Sequence, residues 1–281
     1  MGLCEGKVAV VTGGGAGVGR AIAVALAREG AAVVVNDLGC DTEGRGSDPS
    51  VAQSVAAEIV RAGGQAVASA DDAAEPGVPE RLVELAIARF GRIDVAVAAA
   101  GISRESSVLK LEDADLEAVL RTQVFGAARL LRAAGRAMTQ RGEGGAIVLC
   151  TGAVGFFGAA RQTSQSTAAA AIAGLVRSAA LDLRRHGVRV NAIAPTARTR
   201  MTQGLPLFQG IREDSMTPEH VAPVAVFLAT SLAADVHGEI LGVAGGRVYA
   251  FRIRETTGAF AEVGAFTPEA VRAAWVEITR G

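Results

Sequence analysis

The apolar run Val8–Val11 leads into Thr12-Gly13-Gly14-Gly15-Ala16-Gly17-Val18-Gly19-Arg20, and a helical pattern follows. A strand, a glycine-rich turn and a helix in that order can cradle phosphate. Gly13, Gly17 and Gly19 permit the tight turn and bring a pyrophosphate close to the backbone N–H groups of the helix start, where the dipole favours an anion. The same turn alone is equally a tight connection. Asp37, about twenty residues on at the end of the next apolar run, adds a carboxylate that can accept both hydroxyls of a ribose and repel a 2′-phosphate. Together they predict a dinucleotide site that prefers NAD to NADP. Asp71 and Asp72, after a third run, either meet the adenine amino group or are solvated loop acids.

The scaffold that would hold these residues is written in valine-rich runs alternating with longer helical patterns, the signature of a parallel sheet covered on both faces. Strands are expected over Lys7–Thr12, Ala31–Asp37, Ala66–Ala70, Ile93–Ala98, Ala146–Thr151 and Val188–Ala194. Helices are expected near Val18–Glu29, Pro49–Ala62, Pro79–Phe90, Leu111–Gln140 and Thr163–His186, with Gly30, Gly63, Gly91 and Gly187 as left-handed stops. The stretch Leu38–Ser50 is polar and glycine-rich and reads as a surface loop. Arg247–Gly281 departs from the alternation. Its Thr267-Pro268-Glu269 is a capped helix start, followed by Val271, Trp275 and Ile278 at helical spacing.

A chain of 281 residues, half of them apolar, can bury one substantial core. Its 28 basic and 29 acidic residues give no general attraction to nucleic acid or to an anionic membrane. Cys4, Cys40 and Cys150 are odd in number and lack metal-ligand spacing, so neither a disulfide framework nor a zinc site is expected. No segment is read as a membrane span, and a cytoplasmic protein is the default expectation. The only lysines are Lys7 and Lys110, and the only tyrosine is Tyr249.

The combination of Thr12-Gly13-x3-Gly17-x-Gly19, Asp37, Ala98-Ala99-Ala100-Gly101 and Ile193-Ala194-Pro195 resembles the short-chain dehydrogenase/reductase family. Val33–Gly39, Phe90–Asp94, Arg200-Met201-Thr202 and Thr267–Val271 are similar to the (3R)-hydroxyacyl-CoA dehydrogenase branch of type 2 multifunctional enzymes. The resemblance implies an α/β fold, a Rossmann-type doubly wound parallel sheet in a single domain with a short C-terminal extension. Residues 1–246 would form the dinucleotide-binding domain, and residues 247–281 an extension near the substrate cleft or a dimer interface. It also implies NAD as cofactor, held by Thr12, Gly13, Gly17, Val18, Gly19, Asp37, Asp71, Ala99, Gly101, Pro195 and Thr199, with Thr196 or Thr199 meeting the nicotinamide carboxamide.

The family's catalytic serine, tyrosine, lysine and asparagine fall, position by position, on Gly152, Gln165, Ala169 and Gln123. A tyrosine and a lysine at i and i+4 share one helix face, where the ammonium depresses the phenol pKa and holds the cofactor ribose. Gln165 and Ala169 can do neither. Thr151, Ser164 and Ser166 offer only unactivated hydroxyls, and His186, His220 and His237 are the remaining candidate bases.

The first expectation is therefore a catalytically silent dehydrogenase-fold subunit or NAD-binding regulator, its NAD binding weakened by loss of the lysine. It would form a homo- or hetero-oligomer through its two long helices, with an active short-chain dehydrogenase as one partner. Two alternatives stay open: an active NAD-dependent 3-hydroxyacyl-CoA or related alcohol dehydrogenase using substitute groups, and a non-redox protein that grips an acyl-CoA-like ligand through Arg161, Arg198 and Arg200.

Overall fold

The computed structural model describes residues 2–261 and 264–280. In chain order its first half runs β1 (Val8–Thr12), α1 (Gly17–Arg28), β2 (Ala32–Asn36), α2 (Ser50–Arg61), β3 (Gln65–Ser69), α3 (Val78–Phe90) and β4 (Val95–Ala98). The second half runs α4 (Asp113–Leu120), α5 (Gly126–Arg141), β5 (Gly145–Cys150), α6 (Val154–Phe157), α7 (Thr163–Leu183), β6 (Val188–Thr196), α8 (Ala222–Ala229), β7 (Ile240–Ala244) and β8 (Arg247–Ala250). The strands form one sheet in the order β3-β2-β1-β4-β5-β6-β7-β8. All pairs are parallel except β7 with β8. This is the doubly wound α/β architecture the alternation predicts. Strand order reverses between β1 and β4, which opens a crevice beyond their carboxyl ends.

The six expected strands fall within two residues of their predicted bounds. Their valines are buried throughout β1, β2 and β4, as central parallel strands require. Gly30, Gly63, Gly91 and Gly187 all have positive φ at the helix stops. An ion cluster around buried Asp94 ties the lower edge: Asp94 accepts the Val8 N–H at 3.0 Å and pairs with the half-buried Arg92 at 2.7 Å and Arg141 at 3.0 Å.

Three expectations change. The helix expected over Leu111–Gln140 is broken: α4 and α5 are joined by a π-helical turn, Arg121–Phe125, centred on Gln123. The extension does not begin at Arg247, because Arg247–Ala250 is a sheet strand reached by the two-residue turn Gly245-Gly246, with Gly245 at φ +54°. A Cβ on Gly242 would lie 2.3 Å from the Tyr249 ring, so the glycine in β7 leaves a gap that the only tyrosine fills from β8. Arg247 stacks on the same ring, its guanidinium 4.5 Å from the centroid.

The third change concerns membranes. Thr163–His186 is, by length and composition, long and apolar enough to cross one, with a mean hydropathy of 1.2. Core helices share that composition, and here Ala168, Ala169, Ile172, Ala173, Val176 and Ala180 are buried within the fold. Thr167, Ala170, Ala171, Gly174, Ser178 and Leu181 form the opposite, exposed stripe.

The chain divides into two compact units, the second beginning at Phe251. That second unit carries α9 (Pro268–Ala273), capped by Thr267, whose hydroxyl accepts the Ala270 N–H at 3.2 Å, and α10 (Trp275–Thr279). Both lie where the threonine, proline and apolar spacing predict.

Candidate active site

The crevice at the carboxyl ends of β1, β4, β5 and β6 holds a cavity of about 400 Å³. Gly13, Gly17, Val18, Gly19, Asp37, Ala99, Gly101, Pro195 and Thr199 line it, and so do all four positions Gln123, Gly152, Gln165 and Ala169. Residues scattered over nearly 190 positions of sequence thus converge on one space, as a switch-point cleft demands.

The glycine turn is packed to the limit of backbone contact. A Cβ on Gly13 would lie 2.6 Å from the Ala100 backbone, and one on Gly19 would lie 2.0 Å from the Gly13 carbonyl oxygen. Gly13 and Gly17 adopt φ of +67° and +51°. The α1 start carries neither a side-chain cap nor an acidic residue in its first turn. An uncapped helix start behind a glycine turn fits a pyrophosphate. Asp37 is buried, and its two carboxylate oxygens accept the Gly15 N–H at 2.9 Å and the Gly39 N–H at 2.8 Å. Each oxygen keeps a lone pair for a ribose hydroxyl, so the cradle fits a dinucleotide.

The catalytic end is made of amides. Gln165 and Gln123 both donate from Nε2 to the same acceptor, the Ile102 carbonyl, at 2.7 and 2.8 Å. The π turn aims Gln123 there from one side, and the first turn of α7 aims Gln165 from the other. The Gln165 Oε1 is buried and has no hydrogen-bond partner. Thr151, which lines the cavity beside Gly152, donates to the Ala169 carbonyl at 2.8 Å. A Cβ on Gly152 would meet Val154 Cγ2 at 3.4 Å and the Ala169 Cβ at 3.8 Å, ordinary contacts, so the missing side chain leaves room. Burial pushes the Cys150 thiol up to about 12, which removes it as an acid or nucleophile at neutral pH.

Several expected residues stand elsewhere. Thr12 is buried beneath the turn and its hydroxyl faces the Val97 carbonyl at 3.5 Å. Of the two loop acids, Asp72 lines the cavity, tied to Arg121 at 2.9 Å, while Asp71 is exposed and accepts from the Ser69 hydroxyl. Among the three arginines, only Arg200 borders the cavity. Arg161 is exposed with φ +64°, and Arg198 donates to the Phe208 and Ile211 carbonyls. None of the three histidines lines the cleft. Thr196 does not border it, whereas Thr199 packs over Gly17.

The Leu38–Ser50 loop does more than run over the surface. Ser103 N–H donates to the Thr42 carbonyl at 2.7 Å, Arg104 donates to the Glu43 carbonyl at 3.1 Å, and Gly44 abuts Ile102. This brings Cys40, Gly44, Ile102 and Arg104 to the cavity wall, residues that carry no periodic or motif signal in the sequence.

The family model described as enoyl-(acyl carrier protein) reductase matches residues 13–247. The chain is 39% identical over 276 residues to a peroxisomal multifunctional enzyme type 2 of Mus musculus; the match covers 98% of this chain and spans 37% of that protein's length. It is 37% identical over 255 residues to a hydroxyacyl-CoA dehydrogenase of Mycobacterium tuberculosis, covering 87% of this chain and 79% of that one. A crystal structure of a short chain dehydrogenase from Mycobacterium avium superposes with a TM-score of 0.87 at 34% identity, covering 99% of this chain and 96% of that one.

Proposed function

Since this chain belongs to the short-chain dehydrogenase/reductase family, its cleft can be judged by the proton chemistry such a fold needs, and we propose that it is a catalytically silent, NAD-binding subunit. One observation carries the reading. The floor of the cleft presents two amides that both donate to the Ile102 carbonyl, and no histidine, lysine or tyrosine lines the cavity. Losing a general acid/base costs roughly 10²–10⁴-fold, and losing one donor to a developing oxyanion roughly 10²–10³-fold. The remaining cleft acids do not fill the role: Asp37 holds backbone N–H groups and Asp72 holds Arg121.

The cradle around Gly13, Gly19 and Asp37 supports retention of NAD, with affinity lowered by the absence of a lysine at Ala169. NAD, when bound, would supply or accept hydride; Asp37 would discriminate against a 2′-phosphate, and Thr199 would orient the carboxamide. Arg200, on the cavity wall, would meet an anionic group of an acyl-CoA-like ligand. The exposed small-residue stripe of α7 supports pairing with a second copy or with an active relative, since small residues let helices approach closely.

Two measurements test the reading together. Stopped-flow NADH formation across 3-hydroxyacyl-CoA thioesters should stay flat at high protein concentration, and substrate-dependent turnover would overturn the proposal. The complex captured on this chain from its source cells should contain a stoichiometric second chain with an intact tyrosine–lysine pair. The combined variant Gly152→Ser, Gln123→Asn, Gln165→Tyr, Ala169→Lys should gain at least roughly 10²-fold in hydride transfer over the unaltered chain.

A further inference from the structure

At the opposite end of the same strands, below the starts of β1, β5 and β6, lies a larger cavity of about 620 Å³ lined by Lys7, Arg184, Arg189 and His237. The Lys7 ammonium and the Arg189 guanidinium are drawn together by consecutive carbonyls at the end of α8. Lys7 Nζ donates to the Ala229 oxygen at 3.3 Å, and Arg189 Nη2 donates to the Thr230 oxygen at 3.0 Å. The other terminal nitrogen of Arg189, Nη1, is buried with no hydrogen-bond partner. His237 accepts the Val190 N–H on Nδ1 at 3.4 Å, which leaves Nε2 as the proton-bearing nitrogen.

The cavity wall also carries four carboxylates, Glu5, Asp94, Glu143 and Asp235, none of them within ion-pair distance of Lys7, Arg184 or Arg189. Asp94 and Glu143 are engaged by Arg92 and Arg141, and Glu5 and Asp235 stand exposed. Among the described residues, Lys7, Arg184 and Arg189 make no ion pair. A part-buried guanidinium with no acid beside it destabilises a fold unless an anion completes it. Burial lowers the Arg189 pKa, and burial first, with the charges of Arg184 and Arg189 added to it, holds His237 below its usual value.

We propose that the cavity at the amino ends of β1, β5 and β6 is a second binding site, for a small organic oxyanion carrying phosphate or several carboxylates. Lys7 and Arg189 would grip the oxyanion, Arg184 would close the mouth, and the volume beyond a single phosphate would take the organic part. A fork-shaped guanidinium beside an ammonium is suited to oxygen-rich anions. The site shares no lining residue with the nucleotide cleft, so it stands whether or not that cleft is silent.

The test uses the full chain with excess NAD present to occupy the nucleotide cleft, and pyrophosphate and citrate as probes at ionic strength held constant with sodium chloride, read by calorimetry and thermal unfolding. A saturable one-site isotherm and a raised unfolding midpoint are expected with at least one probe. A response to pyrophosphate alone assigns the phosphate class, and one to citrate alone the carboxylate class. Lys7→Gln and Arg184→Gln should each weaken binding by roughly tenfold. Arg189→Met should raise the midpoint without anion and erase the response to it. No response to either probe, or unchanged affinity in both Lys7→Gln and Arg184→Gln, would overturn the site, the latter by placing the anion elsewhere. If Arg189→Met fails to fold, the Lys7 and Arg184 variants decide alone.

Discussion

Gly19 is the residue on which the nucleotide turn depends most directly, because any side chain there would run into the Gly13 carbonyl oxygen at 2.0 Å. Gly19→Ala should abolish NAD binding, measured by calorimetry, and lower stability by about 1–3 kcal/mol through forced backbone movement. Wild-type affinity in that variant would mean that the turn does not hold the cofactor. The thiols give a second test at this scale. Burial raises all three thiols, Cys150 furthest, to about 12, and Cys4 is fully buried, so native protein at pH 8 should react with a thiol reagent slowly and at Cys40 first. Raising the pH through 10 should leave Cys150 unlabelled until the fold opens, as peptide mass mapping would show. The glycines and Asp37 were legible because their conformational and electrostatic demands are local. The partners of Gln165 and Gln123 were not, because the Ile102 carbonyl reaches them only through the packing of three separate segments.

Among elements, β1 and β4 are joined below the sheet by Asp94, whose carboxylate serves a backbone N–H and two guanidinium groups at once. Asp94→Ala would leave Arg92 and Arg141 with Glu143 alone. It should cost about 3 kcal/mol of unfolding free energy in urea with little change in the denaturant slope. A loss below about 0.5 kcal/mol would show that the cluster is a surface pair in effect. The six valine-rich strands were readable from composition because central parallel strands are buried on both faces. β7 and β8 were not: Gly242 interrupts the apolar run of β7, and β8 is short and largely exposed. The π turn leaves no trace in the sequence either, since its extra residue costs one hydrogen-bond register and no change in residue type.

For the whole molecule, the exposed stripe of α7 is the surface through which pairing is proposed. Gly174, with nothing within 4 Å of where its Cβ would stand, can accept a side chain without disturbing the monomer. Gly174→Arg should therefore leave the unfolding midpoint of the fold nearly unchanged while lowering the sedimentation mass to that of one chain. An unchanged oligomer would move the interface off this helix. The same stripe explains why composition alone misleads here: small apolar residues serve a buried core, a helix pair and a bilayer equally, and only the placement of neighbours separates them.

Tyr249, seated on the glycine gap of β7, is the only tyrosine, and Trp275, in α10, is the only tryptophan. Each compact unit thus carries one intrinsic chromophore of its own colour. Excitation near the red edge of indole absorbance follows the carboxyl-terminal unit alone, while second-derivative near-ultraviolet absorbance separates the band of the phenol that closes the sheet from that of the indole. A single preparation, with no label attached, can report whether the two units melt as one transition or in succession.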